Sequence, residues 1–177
     1  EARKAVVAAA KTDGPVYLRF GRAATPVFTT PETPFEIGKA LKLWDSLPPV
    51  GATTGGIAIL STGSLSYTAL VVAKALAEEG IPTIVLHATT IKALDTEAVL
   101  GVVLRTRRVV TVEEHQTAGG FGSAVAEFLA EHHPVPIKRL GIQDQFGQSG
   151  SPDEGLKHYG LDAASIENAV RAFLQTQ

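Results

Sequence analysis

Between Val109 and Leu129 a β-branched run, three acid–base side chains, a glycine cluster and an amphipathic helix follow one another, and no other stretch of the chain is as informative. Val109, Val110, Thr111 and Val112 read as a buried strand, because β-branched side chains pack well on a pleated surface. Glu113, Glu114 and His115 stand where that strand is expected to end. Gly119-Gly120-Phe121-Gly122 then opens a helix whose apolar face is Val125, Phe128 and Leu129. In an open α/β sheet, ligands and partner surfaces gather at the carboxyl ends of strands and at helix N-termini. Fold and chemistry therefore point to the same segment.

Regular alternation surrounds it. Ile57 to Leu60 is a strand candidate closing at Ser61-Thr62-Gly63, and Leu65, Ala69, Val72, Ala73 and Leu76 recur at helical spacing up to Glu79-Gly80. Thr83 to Leu86 is the next strand, Asp95 caps a helix carrying Val99, Val102 and Val103, and Arg108 to Val112 is the third strand. Pro136 to Leu140 supplies a fourth. Ser151-Pro152-Asp153-Glu154 combines a cap, a first-turn proline and acids at the positive helix end. The last helix runs from about Asp162 to Leu174. This pattern predicts an α/β fold: an open, mostly parallel five-stranded sheet with helices on both faces. The fifth strand is expected as a short edge strand near Phe35 to Ala40, which makes the sheet mixed.

The first third is less regular. Glu1 to Lys11 favours helix, with five alanines in its first ten residues, and Asp13-Gly14-Pro15 ends it. Val16 to Phe20 reads as a short strand closing at Gly21-Arg22. Ala23 to Pro34 holds three of the ten prolines and reads as an extended linker. Leu47 to Gly56 reads as a surface loop. A chain opening directly on a helix without an N-cap is expected to start inside a domain.

Composition narrows the classes. Of 177 residues 45% are hydrophobic and 19% charged, enough for a packed core, and the net charge of −2 gives no electrostatic case for nucleic acid or an anionic membrane. No cysteine is present, which removes disulfides, thiolate metal sites and a cysteine nucleophile and fits a cytoplasmic setting. No apolar run approaches the roughly 20 residues that span a bilayer.

Three places could carry chemistry. Glu113, Glu114 and His115 read either as a general-base or metal cluster, or as polar groups holding a loop against a neighbouring domain or protomer. Adjacent strand residues point in different directions, and no other histidine offers ligand spacing, so the interface reading is preferred and no metal site is expected. His87 and His158 stand alone. Gly119, Gly120 and Gly122 match neither a dinucleotide nor a Walker motif, and close backbone packing or a positive-φ turn explains them more economically than a phosphate cradle. Ser64 or Ser66 is expected to cap a helix rather than act as a nucleophile. Arg22, beside a glycine at a strand end, suits bidentate binding of a phosphate or carboxylate, although an exposed linker arginine is equally common.

Taken in order, Gly14-Pro15-Val16-Tyr17-Leu18-Arg19-Phe20-Gly21-Arg22, Phe35-Glu36-Ile37-Gly38-Lys39-Ala40, Leu76 to Ile81 and Thr90-Ile91-Lys92-Ala93-Leu94-Asp95 resemble the carboxyl-terminal third of transketolase and its thiamine-diphosphate relatives. Val112-Glu113-Glu114-His115 with Gly119 to Val125 is the most specific match. Gly141 to Asp144, Phe146 to Gly150 and Tyr159-Gly160-Leu161 complete it. Ala93 stands where the family has proline, and the 47–56 loop is longer than the family's. Deoxyxylulose-phosphate synthase and the beta subunit of 2-oxoacid dehydrogenases share this domain and are alternatives. From another class, a non-catalytic α/β binding or assembly module is a further one.

The resemblance implies part of an enzyme that transfers a two-carbon ketol unit between sugar phosphates. It implies residues 1–30 as the end of the pyrimidine-binding domain, 31–55 as a linker and edge segment, and 56–177 as the C-terminal domain. Thiamine diphosphate and Mg²⁺ would belong to the full enzyme, with none bound by this chain alone. Arg22 matches the family arginine that grips the sugar phosphate, no catalytic residue is expected here, and the chain would pair as a homodimer or with an N-terminal subunit.

Overall fold

The computed structural model describes residues 1–49 and 55–175. The core is a five-stranded sheet in the order β1-β3-β2-β4-β5, from β1 (Leu41–Asp45), β2 (Ile57–Thr62), β3 (Thr83–Ala88), β4 (Val109–Gln116) and β5 (Ile137–Ile142). β2, β3, β4 and β5 run parallel, and β1 pairs antiparallel with β3 at one edge. The central strands are apolar on both sides because both faces are covered: Ile57, Ala58, Ile59 and Leu60 are fully buried.

Alternate residues of each strand feed two separate cores. Ile57, Ile59, Val85 and Val110 pack beneath α2 (Leu65–Glu78) and α6 (Ala163–Gln175), with Leu156 of α5 (Pro152–His158) at the margin. Ala58, Leu60, Ile84 and Val109 pack beneath α3 (Thr96–Thr106) and α4 (Phe121–His132). Each fully buried branched or aromatic side chain contributes about 1.5–3 kcal/mol relative to exposure, so these two layers hold the domain. The α/β prediction is met strand for strand from Ile57 onward. Ser151 forms a capping box with Glu154 at the start of α5.

Three expectations need correction. Val16 to Phe20 is not a strand: no ladder forms there, and Tyr17 and Phe20 are 89% and 53% exposed. A strand exists only through pairing, and no neighbouring strand runs beside this stretch among the described residues. The edge strand lies at Leu41–Asp45, just after the expected Phe35–Ala40. Residues 38 and 40 spend their backbone donors on α3's approach instead, Gly38 N–H on Thr90 Oγ1 and Ala40 N–H on Asp95 Oδ2. The third strand runs to Gln116 rather than stopping at Val112, because Gln116 regains pairing with Ile142 after a register shift. Of the expected 47–56 loop, residues 50–54 lie outside the described residues.

At the chain's start, α1 (Ala2–Ala9) has no buried residue and lies outside the two cores. Lys4 Nζ donates to the carbonyls of Thr30 and Thr33, so the expected linker is tied to this helix.

Asp95 joins the sheet edge to the helical layer. Its Oδ1 accepts from Ala98 N–H (3.1 Å) as the cap of α3, and its Oδ2 accepts from Ala40 N–H (2.9 Å) just before β1. Replacement Asp95→Ala removes both bonds and is expected to cost about 2 kcal/mol, whereas Asp95→Asn, keeping one acceptor, should cost about half of that. Urea denaturation of the two variants checks this; equal losses would mean that only one bond matters.

Candidate functional site

The end of β4, where its pairing with β5 slips between Val112 and Gln116, sorts the acid–base cluster into an inner and an outer part. Glu113 points inward and is 1% exposed, while Glu114 and His115 face solvent. The Glu113 carboxylate reaches forward to the start of α4, where Oε2 accepts from Phe121 N–H (2.6 Å) and Oε1 from Gly122 N–H (2.7 Å). Gly120, the N-cap of α4, has no side chain to do this. A negative charge at this end also meets the positive pole of the helix.

This contact accounts for the glycines. A Cβ on Gly120 would overlap Glu113 Oε2, and one on Gly122 would overlap Thr111 Oγ1. Gly119 adopts φ +70° in open space, and its N–H donates to Ser123 Oγ (3.0 Å). Arg139 Nη1 closes the turn on the Thr117 carbonyl (2.9 Å) and Ser123 Oγ (2.8 Å). The helix N-terminus already holds a carboxylate, so the glycine cluster serves close packing and not a phosphate. Gly141 belongs to the same arrangement, since a Cβ there would lie 2.7 Å from the His115 carbonyl oxygen. Its role is invisible in sequence because β5 approaches β4 across more than twenty residues.

Around this strand end the surface is fixed. Ser64 donates to Glu114 Oε2 (3.1 Å) and makes no helix-cap bond, contrary to its expected role. The Gln116 side chain donates to the Gln145 carbonyl (3.0 Å) and accepts from Asp144 N–H (2.9 Å), pinning the loop after β5 to β4. Tyr159 Oη donates to the Phe146 carbonyl (3.0 Å) and accepts from Gln148 N–H (2.7 Å). Phe146 itself is 99% exposed on that anchored loop.

Arg22 lies exposed in an irregular stretch and belongs to no described strand. Among the described residues no three histidine, aspartate or glutamate side chains gather to hold a metal ion. The acids of the cluster are engaged by Gly122, Phe121 and Ser64, so the residues present do not fit a site for Mg²⁺ and a diphosphate.

His87 does not stand alone. It is 1% exposed near the end of β3, with Nδ1 2.6 Å from Ser66 Oγ and Nε2 2.7 Å from Glu1 Oε2. Ser61 Oγ donates to Ser66 Oγ (2.9 Å). Ser66 is therefore a link in a buried polar chain, not the expected cap. A histidine inside the run Thr83 to Ala88 was the available signal, because a buried imidazole needs partners.

Burial pushes the Glu113 carboxyl above its ordinary value of 4.5, against the opposing pull of the Gly122 and Phe121 N–H bonds and of His115 and Arg139. The folded state thus holds this proton more tightly than the unfolded chain. The stabilisation is complete below 4.5 and declines as pH rises through the raised value. Glu113→Gln, which sets an amide NH₂ against a backbone N–H, should destabilise the protein by about 1–3 kcal/mol. The difference from the parent should narrow as pH climbs through that window. Urea titrations at several pH values test both statements; a pH-independent difference would show that the carboxyl does not titrate there.

The model of the transketolase C-terminal domain matches residues 53–166. A 6-deoxy-6-sulfo-D-fructose transketolase subunit SqwH from Clostridium sp. (strain MSTE9) is 40% identical over 89% of this chain and 47% of its own length. A 1-deoxy-D-xylulose-5-phosphate synthase from Syntrophus aciditrophicus (strain SB) is 37% identical over 90% of this chain and 24% of its own length. The chain thus spans about half, or about a quarter, of these curated relatives. Among solved structures, one described as a split gene transketolase in an inactive beta4 tetramer superposes with a TM-score of 0.87 at 37% identity, covering 97% of this chain and 54% of that one. The transketolase of Campylobacter jejuni, at 18% identity and a TM-score of 0.57, shares the fold. The match over residues 53–166, more than half of its length, shows that this chain belongs to the transketolase C-terminal domain family.

Proposed function

We propose that this chain is the C-terminal portion of a thiamine-diphosphate-dependent transketolase and serves its assembly. The observation that carries the reading is its likeness, over 97% of its length, to a split gene transketolase chain. The 40% identity to a transketolase subunit supports it further. In this reading residues 1–30 end a pyrimidine-binding domain, 31–55 link and edge the sheet, and 56–177 form the C-terminal domain. The exposed strand end, with Glu114, His115 and Gly119, docks against another domain or protomer, either in a homodimer or beside an N-terminal subunit. Glu113, Gly120 and Gly122 act from within, keeping that surface in shape. No described helix is long and apolar enough to cross a membrane, and a cytoplasmic sugar-phosphate enzyme fits that.

Bound thiamine diphosphate supplies the carbanion chemistry of such enzymes. The described residues of this chain do not fit its Mg²⁺-diphosphate site, so in this reading the reaction steps fall to the family's other domains. Arg22 offers a guanidinium fork to the phosphate of a sugar substrate. A second reading, a deoxyxylulose-phosphate synthase, draws on the 37% identity to that enzyme. Assaying the assembled enzyme for two-carbon transfer between sugar phosphates and for 1-deoxy-D-xylulose 5-phosphate formation separates the two.

Two outcomes are expected. In the assembled enzyme, Arg22→Ala should lose about 1.5–3 kcal/mol of phosphate binding, appearing in KM rather than kcat if the contact is uniform. Unchanged steady-state constants would remove Arg22 from the site. Calorimetric titration of this chain alone with thiamine diphosphate and Mg²⁺ should give no saturable heat, restored when the pyrophosphate- and pyrimidine-binding domains are added. Micromolar binding by the chain alone would overturn the assembly reading.

A further inference from the structure

The polar chain at the ends of β2 and β3 joins parts of the molecule that the two apolar cores do not. Ser61 belongs to β2, Ser66 to α2 and His87 to β3, while Glu1 sits at the foot of α1. An ionised carboxylate only accepts, so His87 Nε2–H donates to Glu1. Ser61 donates to Ser66, which leaves the Ser66 hydroxyl hydrogen for His87 Nδ1. Every donor then runs in one direction, from the sheet toward Glu1. Burial pushes the Glu1 carboxyl up, but the His87 bond and the charges around it, Lys4 among them, hold it below its ordinary value.

The surroundings extend the link. The Phe28 ring meets the His87 imidazole edge-on at 5.7 Å and lies 6.5 Å from Tyr67 of α2. Lys4 holds the carbonyls of Thr30 and Thr33, so α1 and the stretch beyond Phe28 form one unit. That unit has no buried residue on its helix. We propose that the Ser61–Ser66–His87–Glu1 chain is a latch through which the C-terminal domain fixes the position of the N-terminal segment, with His87 as its positioning residue. This inference is independent of the function proposed above.

The order hydroxyl–imidazole–carboxylate is also the order that activates a serine nucleophile. Ser66 is fully buried, however, so no electrophile reaches its Oγ, and the arrangement holds rather than attacks.

Native-state hydrogen exchange of the full protein carrying this chain tests the latch. His87→Phe keeps a ring for packing but loses both nitrogens, and the amides of residues 5–10 should exchange about tenfold faster while those of β2 and β4 keep their rates. Glu1→Ala should do the same, and the double variant should exchange no faster than either single one, since both break one link. Glu1→Gln, which retains an acceptor, should keep most of the protection and supplies the test if His87→Phe does not fold. Unchanged exchange in Glu1→Ala, or additive effects in the double variant, would overturn the latch. Labelling of Ser66 by a fluorophosphonate would overturn it in favour of a nucleophile.

Discussion

The shape of the strand end depends on one buried carboxylate. Glu113 reaches across the turn and satisfies two of the N–H groups that α4 leaves open at its start, which no residue inside the turn can do once Gly120 holds the N-cap. Two bonds to one carboxylate fix both the distance and the angle between strand and helix. The backbone must come close enough for those bonds, and glycine at 120 and 122 follows from that approach. Alternation puts Glu114 on the side opposite Glu113, and His115 also lies outside because the pairing of β4 with β5 slips between Val112 and Gln116. A cluster that looks like three equivalent acid–base groups in sequence is thus one internal strut and two surface groups.

What sequence revealed, and what it did not, follows the range of each interaction. Asp95 and Ser151 were legible as caps because their partners stand three residues away. The helices α2, α3 and α6 were legible through apolar periodicity, and the central strands through unbroken β-branched runs. The Glu113 contact spans eight or nine residues and crosses an element boundary, so the glycines announced a close approach without naming what approaches. His87 is further out of reach, since its partners lie 21 and 86 residues away. Val16 to Phe20 failed for the opposite reason: its local pattern favours a strand, but pairing decides, and propensity yields to context. The family resemblance added the part that no local rule contains, namely that these elements recur together in one order.

Two kinds of cohesion coexist in the molecule. From Ile57 onward, interdigitated aliphatic side chains above and below the sheet hold the elements, and this bulk term is insensitive to any one polar group. The N-terminal segment presents Val6, Val7, Tyr17 and Phe20 largely to solvent and meets the domain through hydrogen bonds and a few rings. Its position rests on directional contacts, which fix orientation well and contribute little burial energy.

The two outer strands of the sheet have a consequence of their own. β1 carries Lys42 and Asp45, and β5 carries exposed Lys138 and Arg139. A strand from another molecule adding to either rim would have to bring its own side chains alongside these charges, and β1 is further irregular where its register slips between Lys42 and Trp44. Charged and bulged rims are how natural sheets stop growing sideways. A molecule with both rims charged in this way resists the sideways addition of strands that builds fibres.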